Sequence, residues 1–63
     1  MTGKKGQVWI RNDGVGMYLL LNLVVNDDDW NCLVLDDGHS GDTAGRVVKV
    51  ADVWFKIFAK RIT

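Results

Sequence analysis

The sequence predicts an all-β fold: a small barrel of about five strands, with a short helical turn before the last strand. Three observations lead there. Short apolar or alternating segments recur along the 63 residues, separated by turn clusters every ~8–12 residues, a spacing that suits a sandwich or barrel. The punctuation is glycine, Asp and Asn, with no proline anywhere in the chain. Every acidic residue is Asp and none is Glu; Asp bonds back to local backbone and favours turns, whereas Glu favours helices.

The elements follow in order. Residues 7–11 (Gln7-Val8-Trp9-Ile10-Arg11) alternate polar and apolar, the pattern of a half-buried strand. Residues 12–16 place Asp13-Gly14 between two apolar runs, a hairpin signal, because glycine supplies the positive φ that such turns need. Residues 17–25 could form a short helix. Flanking turn clusters and the β-branched end Val24-Val25 favour a strand instead. In a regular strand Leu19, Leu21, Leu23 and Val25 share one side, and Tyr18, Leu20, Asn22 and Val24 the other. Both sides are largely apolar, which calls for a second layer or a partner.

Asn26 to Asp29 form the next turn and residues 30–35 the third strand. The longest loop runs from Asp36 to Gly45, and residues 46–50 make the fourth strand. The C-terminal part reads two ways. Trp54, Ile57, Phe58, Arg61 and Ile62 stand at helical spacing, with Asp52 placed to favour a helix start. Alternatively, one helical turn over 52–56 precedes a strand over 58–62. The second reading is preferred, because a barrel needs a last strand to close its edge.

The order of these pieces resembles a loose group of small uncharacterised bacterial and phage proteins with an SH3-like barrel. The residues that carry the resemblance are Lys5-Gly6-Gln7-Val8-Trp9, Tyr18 opening a long apolar strand, Val34 to Gly38, and Val48 to Val53 with a terminal Phe58 and Ile62. It implies a fold and carries almost no function. Signalling SH3 domains share Lys4-Lys5-Gly6 and Asp29-Trp30 only superficially. The tyrosine-rich segment that builds their polyproline groove has no counterpart, so peptide binding of that kind is not implied.

Sixty-three residues make a single domain, and a chain this short buries only ~60% of its unfolded surface. Small scaffolds commonly need a disulfide, a metal or a partner. One cysteine, Cys32, excludes an intrachain disulfide; with His39 the only histidine, a four-ligand Cys/His zinc site is excluded too. Cys32 sits in an apolar run with nothing basic beside it, and reads as a small buried hydrophobe rather than a reactive thiol. No apolar run approaches the ~20 residues of a spanning helix. The expectation is a cytoplasmic protein without a membrane role.

Formal net charge is zero, but the charges are segregated. Residues 12–45 hold Asp13, Asp27, Asp28, Asp29, Asp36, Asp37 and Asp42, with neither Lys nor Arg. Lys4, Lys5 and Arg11 lie before them; Arg46, Lys49, Lys56, Lys60 and Arg61 lie after, against Asp52. If the first and last strands are neighbours, the two basic ends converge.

Candidate chemistry is sparse. The loop from Asp36 to Asp42 is oxygen-rich. Counted as an EF-hand it has Gly38 at the third position and Val47 at the twelfth, where ligands are required. No metal site and no cofactor is predicted. Catalysis would need His39 beside Ser40, Cys32 or Thr43 in space. Adjacent His39 and Ser40 point apart in an extended loop, and no orienting third group is visible. No small-molecule substrate is evident, and the expectation is that the chain is not an enzyme.

Two binding roles remain. Trp9, Tyr18, Trp30, Trp54, Phe55 and Phe58 exceed what a tiny barrel encloses, and leftover apolar surface marks an interface. That favours a homo-oligomer or an accessory subunit with a protein partner, and opposite charge poles would help subunits pair head to tail. The alternative is a nucleic-acid-binding barrel of a phage or mobile element. Trp9, Arg11, Trp54, Lys56, Lys60 and Arg61 form the candidate surface, combining cations with aromatics that could stack on bases. A pI near 6.5 lies well below that of a dedicated nucleic-acid binder.

Overall fold

A computed structural model describes residues 3–24, 28–38 and 44–63. Strands β1 (Val8–Arg11), β2 (Met17–Val24), β3 (Asp29–Asp36) and β4 (Val47–Ala51) run as an antiparallel meander. Helix α1 (Asp52–Phe58) follows, and β5 (Ala59–Arg61) returns to pair with β1. The sheet order is β4-β3-β2-β1-β5. The protein is therefore all-β, with five strands and a short helix before the last one.

The sheet is curled, although no hydrogen bonding joins its two edge strands among the described residues. The outer strands of a flat five-stranded sheet would lie ~19 Å apart. Here the edges β4 and β5 are joined through a seven-residue helix of roughly 10 Å. That helix touches β4, β5 and β1 together, so it bridges the gap that the strands leave open. The C-terminal segment divides differently from the preferred sequence reading. The helix extends to Phe58 and the strand shortens to three residues. A continuous helix through Arg61 is ruled out by the pairing of Ala59, Lys60 and Arg61 with β1.

The β1–β2 hairpin forms as its Asp-Gly predicts. Gly14 has φ +80°, the Asp13 carboxylate accepts the Val15 N–H at 2.9 Å, and Arg11 N–H donates to the Gly16 carbonyl at 2.8 Å. The strict alternation expected of β2 does not hold. A bulge between Leu20 and Asn22 shifts the register, so Leu23 joins Tyr18 and Leu20 on the core side while Asn22 faces solvent. Regular alternation would have placed the Asn22 amide on the core side, where an unpaired polar group is costly. Gly38, with φ +80°, allows the end of β3 to lie against Val15; a Cβ there would overlap the Val15 side chain.

The core lies inside the curl. Trp9, Leu20, Trp30, Cys32, Phe55 and Ala59 form it, with Tyr18, Leu23, Val48, Val50 and Trp54 packed around. Phe55 from α1 is fully buried, 5.7 Å from the Trp9 ring and 6.0 Å from Tyr18. Burying a side chain of that size stabilises the fold by ~1.5–3 kcal/mol.

One buried polar group ties the core to the chain ends. The Asp52 carboxylate accepts the Trp30 indole N–H at 2.8 Å and the Gly3 N–H at 2.9 Å, and its own N–H donates to the Asp28 carbonyl. Gly3 has no room for a side chain there, since a Cβ would stand 2.5 Å from Leu20 Cδ1. Asp52 thus begins α1 and also fastens the N-terminal segment and the β2–β3 turn to it.

Candidate binding surface

The pairing of β1 with β5 brings the basic ends of the chain together, as Trp9↔Arg61, Ile10↔Lys60 and Arg11↔Ala59. The predicted surface residues nevertheless divide among different faces. Trp9 is only 6% exposed and packs on Phe55, so it belongs to the core and offers no ring for stacking. Its indole N–H is taken by the Gln7 side chain at 3.2 Å. Trp54 is half-buried, edge-on to Tyr18 at 5.6 Å and to Phe55 at 5.3 Å. Arg11 is held by Asp13 at 2.9 Å. Lys56, Lys60 and Arg61 are exposed. Of these, Lys60 shares a face with Ile10, whereas Arg61 pairs with Trp9 on the opposite one. The cations wrap the β1–β5 edge rather than line one strip.

The acidic residues do not gather at one pole either. Asp28 and Asp29 lie at one end of β3 and Asp36 and Asp37 at the other. The head-to-tail arrangement of two charge poles is therefore not the layout found. His39, Ser40, Asp42 and Thr43 lie outside the described residues, as does Asp27. Among the described residues no three of His, Cys, Asp or Glu stand together as metal ligands. Nor is any helix there long and apolar enough to cross a membrane.

Apolar surplus exists, but it is mostly not aromatic. Three of the six aromatic residues are buried, and Phe58 is the one that stands fully at the surface. It lies on α1 beside Val53 and Ile57, each more than half exposed. Asn12 reaches this end of the helix, donating to the Phe58 carbonyl from its backbone and to the Ile57 carbonyl from its amide.

A second surplus is aliphatic and lies on the outer face of the sheet, where Val47 is exposed and Val8, Leu19 and Leu33 are half-buried. Because Trp9, Leu20, Cys32 and Val48 point inward, their neighbours point outward. Val8, Leu19, Leu33 and Val47 are register partners in turn, one from each of four consecutive strands. They form an aliphatic row across the sheet. The next row reads Lys60, Ile10, Met17, Asp36 across β5, β1, β2 and β3. The row on the other side holds Asn22, Asn31 and Lys49. None of the aliphatic members of these rows packs on the core cluster, and α1 covers the inner face through Phe55. A one-layer sheet normally turns a polar face to water; this one turns an aliphatic band bordered by charges and amides.

The fold and this surface together define a class, a small all-β domain with one sheet face that is uncovered among the described residues. No protein-family model matches the chain, and no curated protein or solved structure matches it.

Proposed function

We propose that the chain is a non-catalytic binding or accessory module that works through protein–protein contacts, self-association first among them. The observation that carries this reading is the aliphatic row Val8, Leu19, Leu33 and Val47, on a sheet face that no described element packs against. Association would also relieve the small core, since buried interface area adds to what 63 residues can bury alone. The strand order and the helix before the last strand agree with the SH3-like pattern of the sequence, and that kinship is part of the proposal. Sedimentation equilibrium tests it: a mass above one chain at micromolar concentration is expected, and a monomer at every concentration overturns the self-association reading.

A second reading has one specific observation behind it. Pairing of β1 with β5 sets Lys60 and Arg61 beside the first strand, with exposed Lys56 just before them in α1. Such an edge suits the backbone of a single-stranded nucleic acid. Its test is a titration with single-stranded DNA and RNA at low salt. Binding that weakens with salt, and with Lys56→Ala plus Lys60→Ala, supports it; no binding at low salt removes it.

A further inference from the structure

We infer that the C-terminal end of α1 docks on an anionic lipid surface, with Ile57 and Phe58 entering the headgroup region and Lys56, Lys60 and Arg61 set against the lipid charges. This site is separate from the outer sheet face and does not depend on self-association. It departs from the expectation of no membrane role, which rested on the lack of a spanning run. A domain that lies on a bilayer needs no such run.

Shape, charge and backbone pairing carry it. Val53 and Ile57 stand one turn apart on the side of α1 away from Phe55, and both are more than half exposed, as is Phe58. They make a ridge rather than a cleft, and a ridge can sink into a deformable interface without a matching groove. Trp54 lies half-buried beside Phe58, ring centroids 5.8 Å apart; such amphipathic rings favour the membrane–water boundary. Residues 53–63 carry Lys56, Lys60 and Arg61, all exposed, and neither Asp nor Glu. The Asp52 carboxylate turns inward to Trp30. On the strands that α1 touches, Arg11 of β1 is matched by Asp13 at 2.9 Å, and β4 adds Lys49 as its one charge. Asp28 lies at the other end of the helix, where its carbonyl accepts the Asp52 N–H. The last turn of α1 is therefore the cationic end, and it complements an anionic surface. A single-stranded nucleic acid would use these cations but leave the ridge in water. The backbone agrees. The last carbonyls of a helix lack partners within it, and an unpaired carbonyl is costly away from water. Here the Phe55 carbonyl accepts the Ala59 N–H, and Asn12 donates to the Ile57 and Phe58 carbonyls. Those three are already paired when this end leaves bulk water.

Binding of the full chain to lipid vesicles tests this, read by cosedimentation and by tryptophan emission. The probe is phosphatidylcholine with about one-third phosphatidylserine, against phosphatidylcholine alone. Binding to the anionic vesicles that weakens with salt is expected. A blue shift should come from Trp54, since Trp9 and Trp30 are already buried. Lys56→Ala is expected to weaken binding by about fivefold, and Val53→Ser with Ile57→Ser by about tenfold or more. All three side chains are exposed, so the variants test contact rather than folding; circular dichroism melts verify that each is folded. Val47→Ser, at an exposed position on the outer sheet face, is expected to bind as the wild type does. The inference is overturned if anionic vesicles are not bound at low salt, or if both vesicle types bind equally. It is also overturned if Val47→Ser weakens binding as much as the paired serines do. If Lys56→Ala weakens binding while the paired serines do not, the cations hold a polyanion without the ridge, and the site passes to the nucleic-acid reading.

Discussion

Cys32 and Asp52 show how much a single buried side chain can decide in a chain of this size. Burial pushes the Cys32 thiol up from 9.0 to about 12. Its Sγ lies 3.4 Å from the Trp30 carbonyl oxygen. A folded-state value above the unfolded one means that the native state holds the proton more tightly. The stability linked to it is complete below about pH 9 and is lost as pH rises toward 12. Urea unfolding between about pH 8 and about pH 11 should show a decline that is shallower in Cys32→Ala. A thiol reagent should label the native protein only as fast as it opens. Asp52 acts through hydrogen bonds. Asp52→Ala leaves the Trp30 indole N–H and the Gly3 N–H without their acceptor, at an expected cost of about 2–4 kcal/mol. Asp52→Asn keeps a carbonyl oxygen and should cost less. Thermal melts of the two variants check the order, and equal losses would show that the charge rather than the acceptor matters.

At the scale of elements, α1 is the piece whose two faces differ most. Its inward Phe55 is fully buried, while its outward Val53 and Ile57 are more than half exposed. Phe55→Ala is expected to cost about 3–5 kcal/mol, because the ring is replaced by a cavity at the junction of Trp9, Tyr18 and Trp54. Ile57→Ala should change stability by less than about 0.5 kcal/mol. Chemical denaturation of both separates a helix that seals the curl from one that merely links two strands. The strands were largely legible in the sequence, since alternation and Asp-Gly punctuation locate β1 to β4 to within a residue or two. The bulge in β2 was not. It arises because Asn22 and Leu23 compete for an inward position, and the contest is settled by β3 across the ladder, not by local pattern.

For the whole molecule, self-association through the aliphatic face would link folding to protein concentration. If copies pair through that face, the melting temperature should rise with protein concentration, because binding of the native state alone stabilises it by mass action. Differential scanning calorimetry over a hundredfold concentration range checks this; an invariant midpoint counts against association. The candidate surface was legible only in part. That β2 is apolar on both sides pointed to a second layer or partner, and the convergence of basic ends followed from placing first and last strands together. That Trp9 belongs to the core, and that Lys60 and Arg61 flank opposite faces, followed from the inward turn of one strand and the register of another.

The sequence by itself determined the fold class. Glycine, Asp and alternation act over a few residues, and those ranges suffice to place strands and turns. It also determined that Cys32 is a buried hydrophobe and that the chain ends are basic. Only the tertiary structure decided which side of each strand is inside, that Asp52 fastens Gly3 and Trp30, and that four aliphatic side chains stand in one row on the outer face. Those facts depend on register between strands distant in sequence. A slip of one residue would turn every side chain to the opposite face, so no local pattern can carry them.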